Sequence, residues 1–162
     1  MFSNFILMQS QTETLRIINQ INRLYQGNCW LGSNLTEILG GIPPSQANAI
    51  ALGFNNTMHQ IVRHILATEL VVLERLKGND YVLTPEEDWV PKAEIEKLDW
   101  EATIRELFES KDVLIRALTH LQDEMLDRAI IKDYSSIYVT LHGHIQHTIY
   151  HMGQIMVLKR IL

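Results

Sequence analysis

Apolar residues recur at threes and fours along most of this chain, and the strict alternation of a half-buried strand is nearly absent. From about Gln9 to Gln26, Leu15, Ile18, Ile21, Asn22 and Tyr25 mark one helical face, which Gly27-Asn28 interrupts. A shorter amphipathic piece, Ser33 to Leu39, ends at Gly40-Gly41, and Pro43-Pro44-Ser45-Gln46 reads as a turn opening another short helical stretch. A second long helix is predicted from about Asn56 to Lys77, with Asn55 or Asn56 as N-cap and Gly78 as its stop. Its apolar arc comprises Met58, Ile61, Val62, Ile65, Leu66, Val72, Leu73 and Leu76. A third helix starts at Asp99 as N-cap and continues to about Met125, and a fourth runs from about Ser136 to Arg160.

These spans predict an all-α fold, a four-helix bundle forming one domain over residues 1–162. An up-and-down arrangement is the simplest. The stretch from Asn79 to Leu98 carries Pro85, Pro91, the acidic run Glu86-Glu87-Asp88 and Trp89. It reads as a long irregular crossover between helices two and three. No repeat, low-complexity tract or linker divides the chain.

Composition narrows the functional classes. An apolar share of 46% and a charged share of 20% are those of an ordinary globular protein. The net charge is −5 and the 14 Lys and Arg residues are scattered, so no basic surface suited to nucleic acid is expected. No apolar run approaches the ~20 residues that cross a membrane. The start, MFSNFILMQSQTETL, has an apolar patch without the charged flank or cleavage site of a signal peptide. Cys29 is the sole cysteine, which excludes an intramolecular disulfide and fits a reducing compartment. A soluble cytoplasmic protein is therefore expected.

The chemistry concentrates in histidine. Six of the seven histidines fall in two helices: His59 and His64 in the second, His142, His144, His147 and His151 in the fourth. At ~100° per residue, His144, His147, His151 and Gln154 share an arc of roughly 80°. His147 and His151 are i,i+4 neighbours, so both imidazoles can reach one ion. An H-x-x-x-H pair also arises by chance, but four histidines within ten residues is an uncommon density. His142 points away from the strip and reads as surface. His144 lies a turn away, as a fourth ligand, an outer partner or a pocket wall.

A metal requires at least a third ligand, and helix two offers two candidates. His59 and His64 lie roughly 140° apart at opposite flanks of the apolar arc, so they do not both face one ion. Periodicity does not choose between them. Glu69 falls near the middle of that arc, a costly place for an unpaired charge. It reads as a structural carboxylate paired in the core, with a proton acceptor near the metal as the other reading. Three neutral nitrogens with an open fourth position favour Zn, Ni or ferrous Fe over Mg or Ca.

Two segments carry a family resemblance. N-N-T-M-H-Q-I-V-R-H-I-L-A-T-E-L resembles the second helix of DinB-like proteins, and L-H-G-H-I-Q-H-T-I-Y-H-M-G-Q-I-M-V-L-K-R resembles their last. The stretch Y-Q-G-N-C-W-L-G-S-N-L-T-E-I-L-G-G-I and Trp89 behind its acidic run fit as well. In that pattern the helix-two histidine precedes an aliphatic pair and, a turn later, a Glu. That matches His64 with Ile65, Leu66 and Glu69, and not His59. The resemblance implies a ligand triad of His64, His147 and His151, with Gln154 and Glu69 as outer partners. It also implies Zn or Ni as the metal, a homodimer, and Gly153 as a point where a neighbouring helix approaches closely. Characterised relatives are thiol S-transferases using bacillithiol, mycothiol or a similar low-molecular-weight thiol, or metal-dependent hydrolases.

Two functions follow as expectations. The first is a metal-dependent enzyme of the thiol S-transferase or hydrolase type, acting on a small molecule at an open coordination position. The alternative is a non-catalytic stress-related binding protein whose metal is structural or vestigial. A fourth protein ligand such as His144 would close the site and favour that alternative. H-E-x-x-H and paired E-x-x-H motifs are absent, against a zincin protease or a ferritin-like di-iron centre.

Overall fold

Local capping signals set where each helix begins. The structure, a computed structural model, describes residues 12–162. The predicted start of the first helix at 9–11 and the apolar beginning of the chain lie outside the described residues. The first helix, α1, spans Glu13–Tyr25 behind an N-cap at Thr12. Two short helices follow, α2 (Leu35–Leu39) and α3 (Pro44–Ala47).

Helix α4 (Met58–Leu76) is capped by Thr57 and not by Asn55 or Asn56. The reason is local: Thr57 and Gln60 form a reciprocal capping box, each side chain bonded to the other's backbone amide. Gly78 ends the helix as predicted, at φ +89°, where its lack of a Cβ permits the left-handed turn.

The crossover contains more regular structure than expected. It holds α5 (Pro85–Asp88) and α6 (Lys92–Ile95), both opened by proline near the first turn. Helix α7 spans Trp100–Thr119 with Asp99 as the predicted N-cap, but stops short of Met125. Residues 123–125 form a separate 3-10 turn. That turn carries the Asp123 carboxylate to the start of α1, where it accepts from the Glu13 and Thr14 amides at 2.7 and 2.9 Å. Satisfying two orphan helix donors favours this turn over continuation of α7. Helix α8 spans Ile137–Ile161 behind Ser136.

The described residues form an all-α bundle of α1, α4, α7 and α8. Helix α4 packs against α7 and α8, and α1 packs against the same two. Directions depart from simple up-and-down alternation. Arg63 pairs with Glu106, and His59 bonds Thr103, while Leu73 and Leu76 lie beside Ala117 and Leu118. Helices α4 and α7 therefore run parallel, which is why the chain between them must return the length of the bundle. Helix α8 runs antiparallel to α4, since Glu69 meets His144 while His64 meets His147. The core is aliphatic, with Ile17, Ile21, Ile65, Leu107, Leu114 and Leu141 fully buried. Trp100 is buried beside them and donates its indole N–H to the Ile42 carbonyl at 2.9 Å.

Candidate metal centre

The i,i+4 spacing on α8 does what helical geometry requires: His147 and His151 project side by side toward α4. His64 meets them from the facing helix. The His147 Nε2 lies 2.9 Å from His64 Nε2 and 3.0 Å from His151 Nε2. Three nitrogens bound to one ion at ~2.0–2.1 Å would be no further apart than about 4 Å, so these three can share it. They form the histidine group able to hold a metal ion among the described residues.

The opposite ring nitrogens fix the tautomers. His64 Nδ1 faces the Asp88 carbonyl at 2.9 Å and the Asp88 carboxylate at 3.0 Å. Both are acceptors, so Nδ1 carries the proton. His151 Nδ1 donates to Gln154 Oε1 at 2.7 Å, and the Gln154 amide donates in turn to the Tyr150 hydroxyl. His147 Nδ1 lies 3.4 Å from the Thr68 hydroxyl. With the Nδ1 protons committed, the Nε2 lone pairs of His64 and His151 both aim at His147 Nε2. One N–H on His147 can satisfy only one of them. A cation at the centre satisfies all three, which is the donor pattern of a metal-binding imidazole set with oxygen partners behind it.

Burial favours the neutral form of His147 and His151. Removal from water holds His147 down at about 4, with the neighbouring His151, His64 and His144 imidazoles adding to the effect. Burial also lowers His151, although the Gln154 hydrogen bond opposes this. Trp89, delivered by the crossover, stacks on His64 with centroids 4.0 Å apart and planes 12° off parallel. It covers one wall of the site. On the other side opens a cleft of about 600 Å³ lined by Thr68, Val71, Arg75, Gly143, His144 and His147, among others.

The remaining predicted residues are placed differently. His59 is fully buried against α3 and α7, with Nδ1 bonded to Asn48 Oδ1 at 3.0 Å and Nε2 to the Thr103 hydroxyl at 2.9 Å. It has no nitrogen left for a metal. Glu69 does not stand behind the triad as the resemblance implied. Its buried carboxylate accepts from the Tyr25 hydroxyl at 2.7 Å and contacts His144 Nε2 at 3.2 Å. One helical turn separates His144 from His147, and the carboxylate follows His144 into the core. The structural reading of Glu69 is the one the packing supports, and His144 becomes a cleft wall held by Glu69 instead of a fourth ligand. Burial and the Glu69 charge together raise the Tyr25 phenol well above its usual range. Gly153 meets no neighbouring helix among the described residues: it is exposed, with none of their atoms within 4 Å of where a Cβ would stand.

Two contributors escaped the sequence reading. Thr68, one turn beyond His64 on the same face, could have been found from i,i+4 spacing. Asp88 reaches His64 only through the path of the crossover, for which no periodic signal exists.

A family model described as the DinB superfamily matches residues 30–155, a span holding all three converging histidines. The chain belongs to the DinB superfamily. No curated protein matches it significantly. For this DinB-superfamily chain, the match and the fold agree on the all-α bundle, and the histidine group supplies a possible metal centre at the place where its second and last long helices face each other.

Proposed function

We propose that this protein is a metal-dependent enzyme in which His64, His147 and His151 hold Zn or Ni and a small-molecule thiol is activated for transfer to an electrophile. The observation that carries this reading is the convergence of three Nε2 atoms, with His147 lining the adjoining cleft, while His144 turns away to Glu69. Among the described residues no fourth side chain closes the histidine set, so access from the cleft remains. A divalent ion at such a site supplies Lewis acidity that lowers the pKa of a thiol or water brought to it. The chain's own residues supply the rest. Asp88 and Gln154 fix the rings of His64 and His151, Trp89 excludes water from one side, and the aliphatic wall of Val71, Val72, Val82 and Leu83 suits an organic substrate.

The test loads the protein with Zn(II) or Ni(II), verifies stoichiometry by elemental analysis, and supplies a chloroarene electrophile with cysteine, glutathione, bacillithiol or mycothiol. Thioether formation that needs the metal and is lost in His151→Ala supports the transferase. Turnover of ester or amide substrates without any thiol replaces it with the hydrolase form. Absence of both leaves a metal-binding protein without catalysis and overturns the proposal.

A further inference from the structure

The cleft beside the triad has a second polar end. On α4, His64, Thr68, Val71 and Arg75 share a face within about 60° at ~100° per residue. Eleven residues separate His64 from Arg75, roughly 16 Å along the axis at ~1.5 Å each. Arg75 therefore lies at the far end of the same cleft, with Val71 and Val72 between, and Val82, Leu83 and Pro85 forming the wall contributed by the crossover.

Arg75 is held but not neutralised. Its guanidinium lies over the Tyr134 ring, 4.6 Å from the centroid, and one terminal nitrogen makes a long 3.3 Å bond to the Tyr81 carbonyl. Its Nε is buried without a hydrogen-bond partner. Neighbouring carboxylates are committed elsewhere: Glu74 to Lys77 and Asn79, Asp80 to the Tyr134 hydroxyl. Among the described residues the guanidinium forms no ion pair. A guanidinium held over an aromatic face can still turn N–H groups of its terminal nitrogens to a carboxylate, which accepts two parallel bonds. The other charged group of the cleft, Asp88, stands at the triad end against His64. An anionic group is thus repelled from one end and attracted to the other.

Gly143 supplies the room. It lines the cleft from α8, and among the described residues nothing lies within 4 Å of where its Cβ would be. The backbone of α8 is left open to a ligand at mid-cleft.

We infer that this cleft takes an elongated substrate whose apolar body lies over Gly143 and whose carboxylate is read by Arg75, with the reacting end at the triad. The inference rests on the metal-enzyme reading for the role of the triad end, and on the cleft alone for the carboxylate end. Its test uses full-length protein offered Co(II), with ω-mercaptooctanoate and the matched uncharged ω-mercaptooctanol as probes. Calorimetry reads affinity, and a thiolate-to-cobalt absorption band reads arrival at the triad.

The carboxylate probe is expected to bind roughly tenfold or more tightly than the alcohol, as a charge-assisted pair should provide. Arg75→Gln is expected to abolish that preference while leaving Co(II) content and the band unchanged. Gly143→Leu, which fills the cleft from α8, is expected to weaken both probes at least tenfold. Equal affinity for the two probes, a preference that survives Arg75→Gln, or unaltered binding to Gly143→Leu would each overturn the inference. Failure of Co(II) uptake or of the band strikes the metal reading instead, because the calorimetric preference is measured with or without the ion.

Discussion

Two buried histidine environments sit on α4, less than two turns apart, and differ in where the second ring nitrogen goes. His59 gives both nitrogens to oxygen partners, Asn48 and Thr103. His64 gives only Nδ1 to oxygen, at Asp88, and turns Nε2 toward other imidazoles. Both are below one-tenth exposed, at 0% and 7%, so burial does not distinguish them. The difference lies in satisfaction. A histidine with both nitrogens matched is a packing element; one whose lone pair faces further lone pairs is completed by a cation. The Glu69–His144 contact is a third case, in which a buried carboxylate holds the ring one turn from the triad.

The sharpest way to break this contrast is to truncate each histidine and read metal and stability separately. His64→Ala or His151→Ala should remove stoichiometric metal, a loss beyond the ~10–100-fold that deleting an outer partner costs. Helical circular dichroism should be unchanged. His59→Ala should do the reverse, retaining metal while losing about 2–3 kcal/mol, because the Asn48 and Thr103 side chains are left without their partner in a new cavity. Metal analysis and denaturant unfolding on the same preparations decide it. Unchanged metal in His64→Ala would remove the triad.

A smaller effect separates the Glu69 cluster from the metal centre. Glu69→Gln preserves size and can still accept from Tyr25, yet weakens the contact with His144; a loss of about 1–2 kcal/mol in unfolding is expected, with metal affinity unchanged. A large drop in metal affinity instead would return Glu69 to the place behind the triad that the family resemblance implied.

A further effect is expected in the pH dependence of the metal-free protein. His147 is held at about 4 when folded, and an unfolded histidine titrates near 6.5. As pH falls below about 6.5 the unfolded chain takes up this proton first, so stability declines between about 6.5 and 4 and is fully present above that window. His147→Gln should flatten this part of a Tm-against-pH curve. An equal slope in the variant would mean that other groups produce the decline.

Much of the molecule was legible beforehand, because helix periodicity and capping act over a few residues. The long helices, the Asp99 cap, the Gly78 stop and the pairing of His147 with His151 all follow from signals within one segment. The N-cap of α4 and the end of α7 were misplaced. The first was decided by the Thr57–Gln60 capping box, itself readable in T-M-H-Q, and the second by Asp123 capping a different helix.

What the sequence by itself determined, then, is the set of long helices and a metal-capable pair of imidazoles on one strip of α8. Periodicity left open which helix-two histidine joins them; the family resemblance pointed to His64, and the tertiary structure places His64 there. His59 and His64 flank the same apolar arc and are equivalent to any local rule; the parallel packing of α4 on α7 places one against Thr103, and the antiparallel packing of α8 places the other against His147. Tertiary structure also delivered Asp88 and Trp89 to His64 through the crossover, and put Arg75, without an ion pair among the described residues, at the opposite end of the cleft. These are contacts between segments distant in sequence, and their partners are set by how whole helices pack.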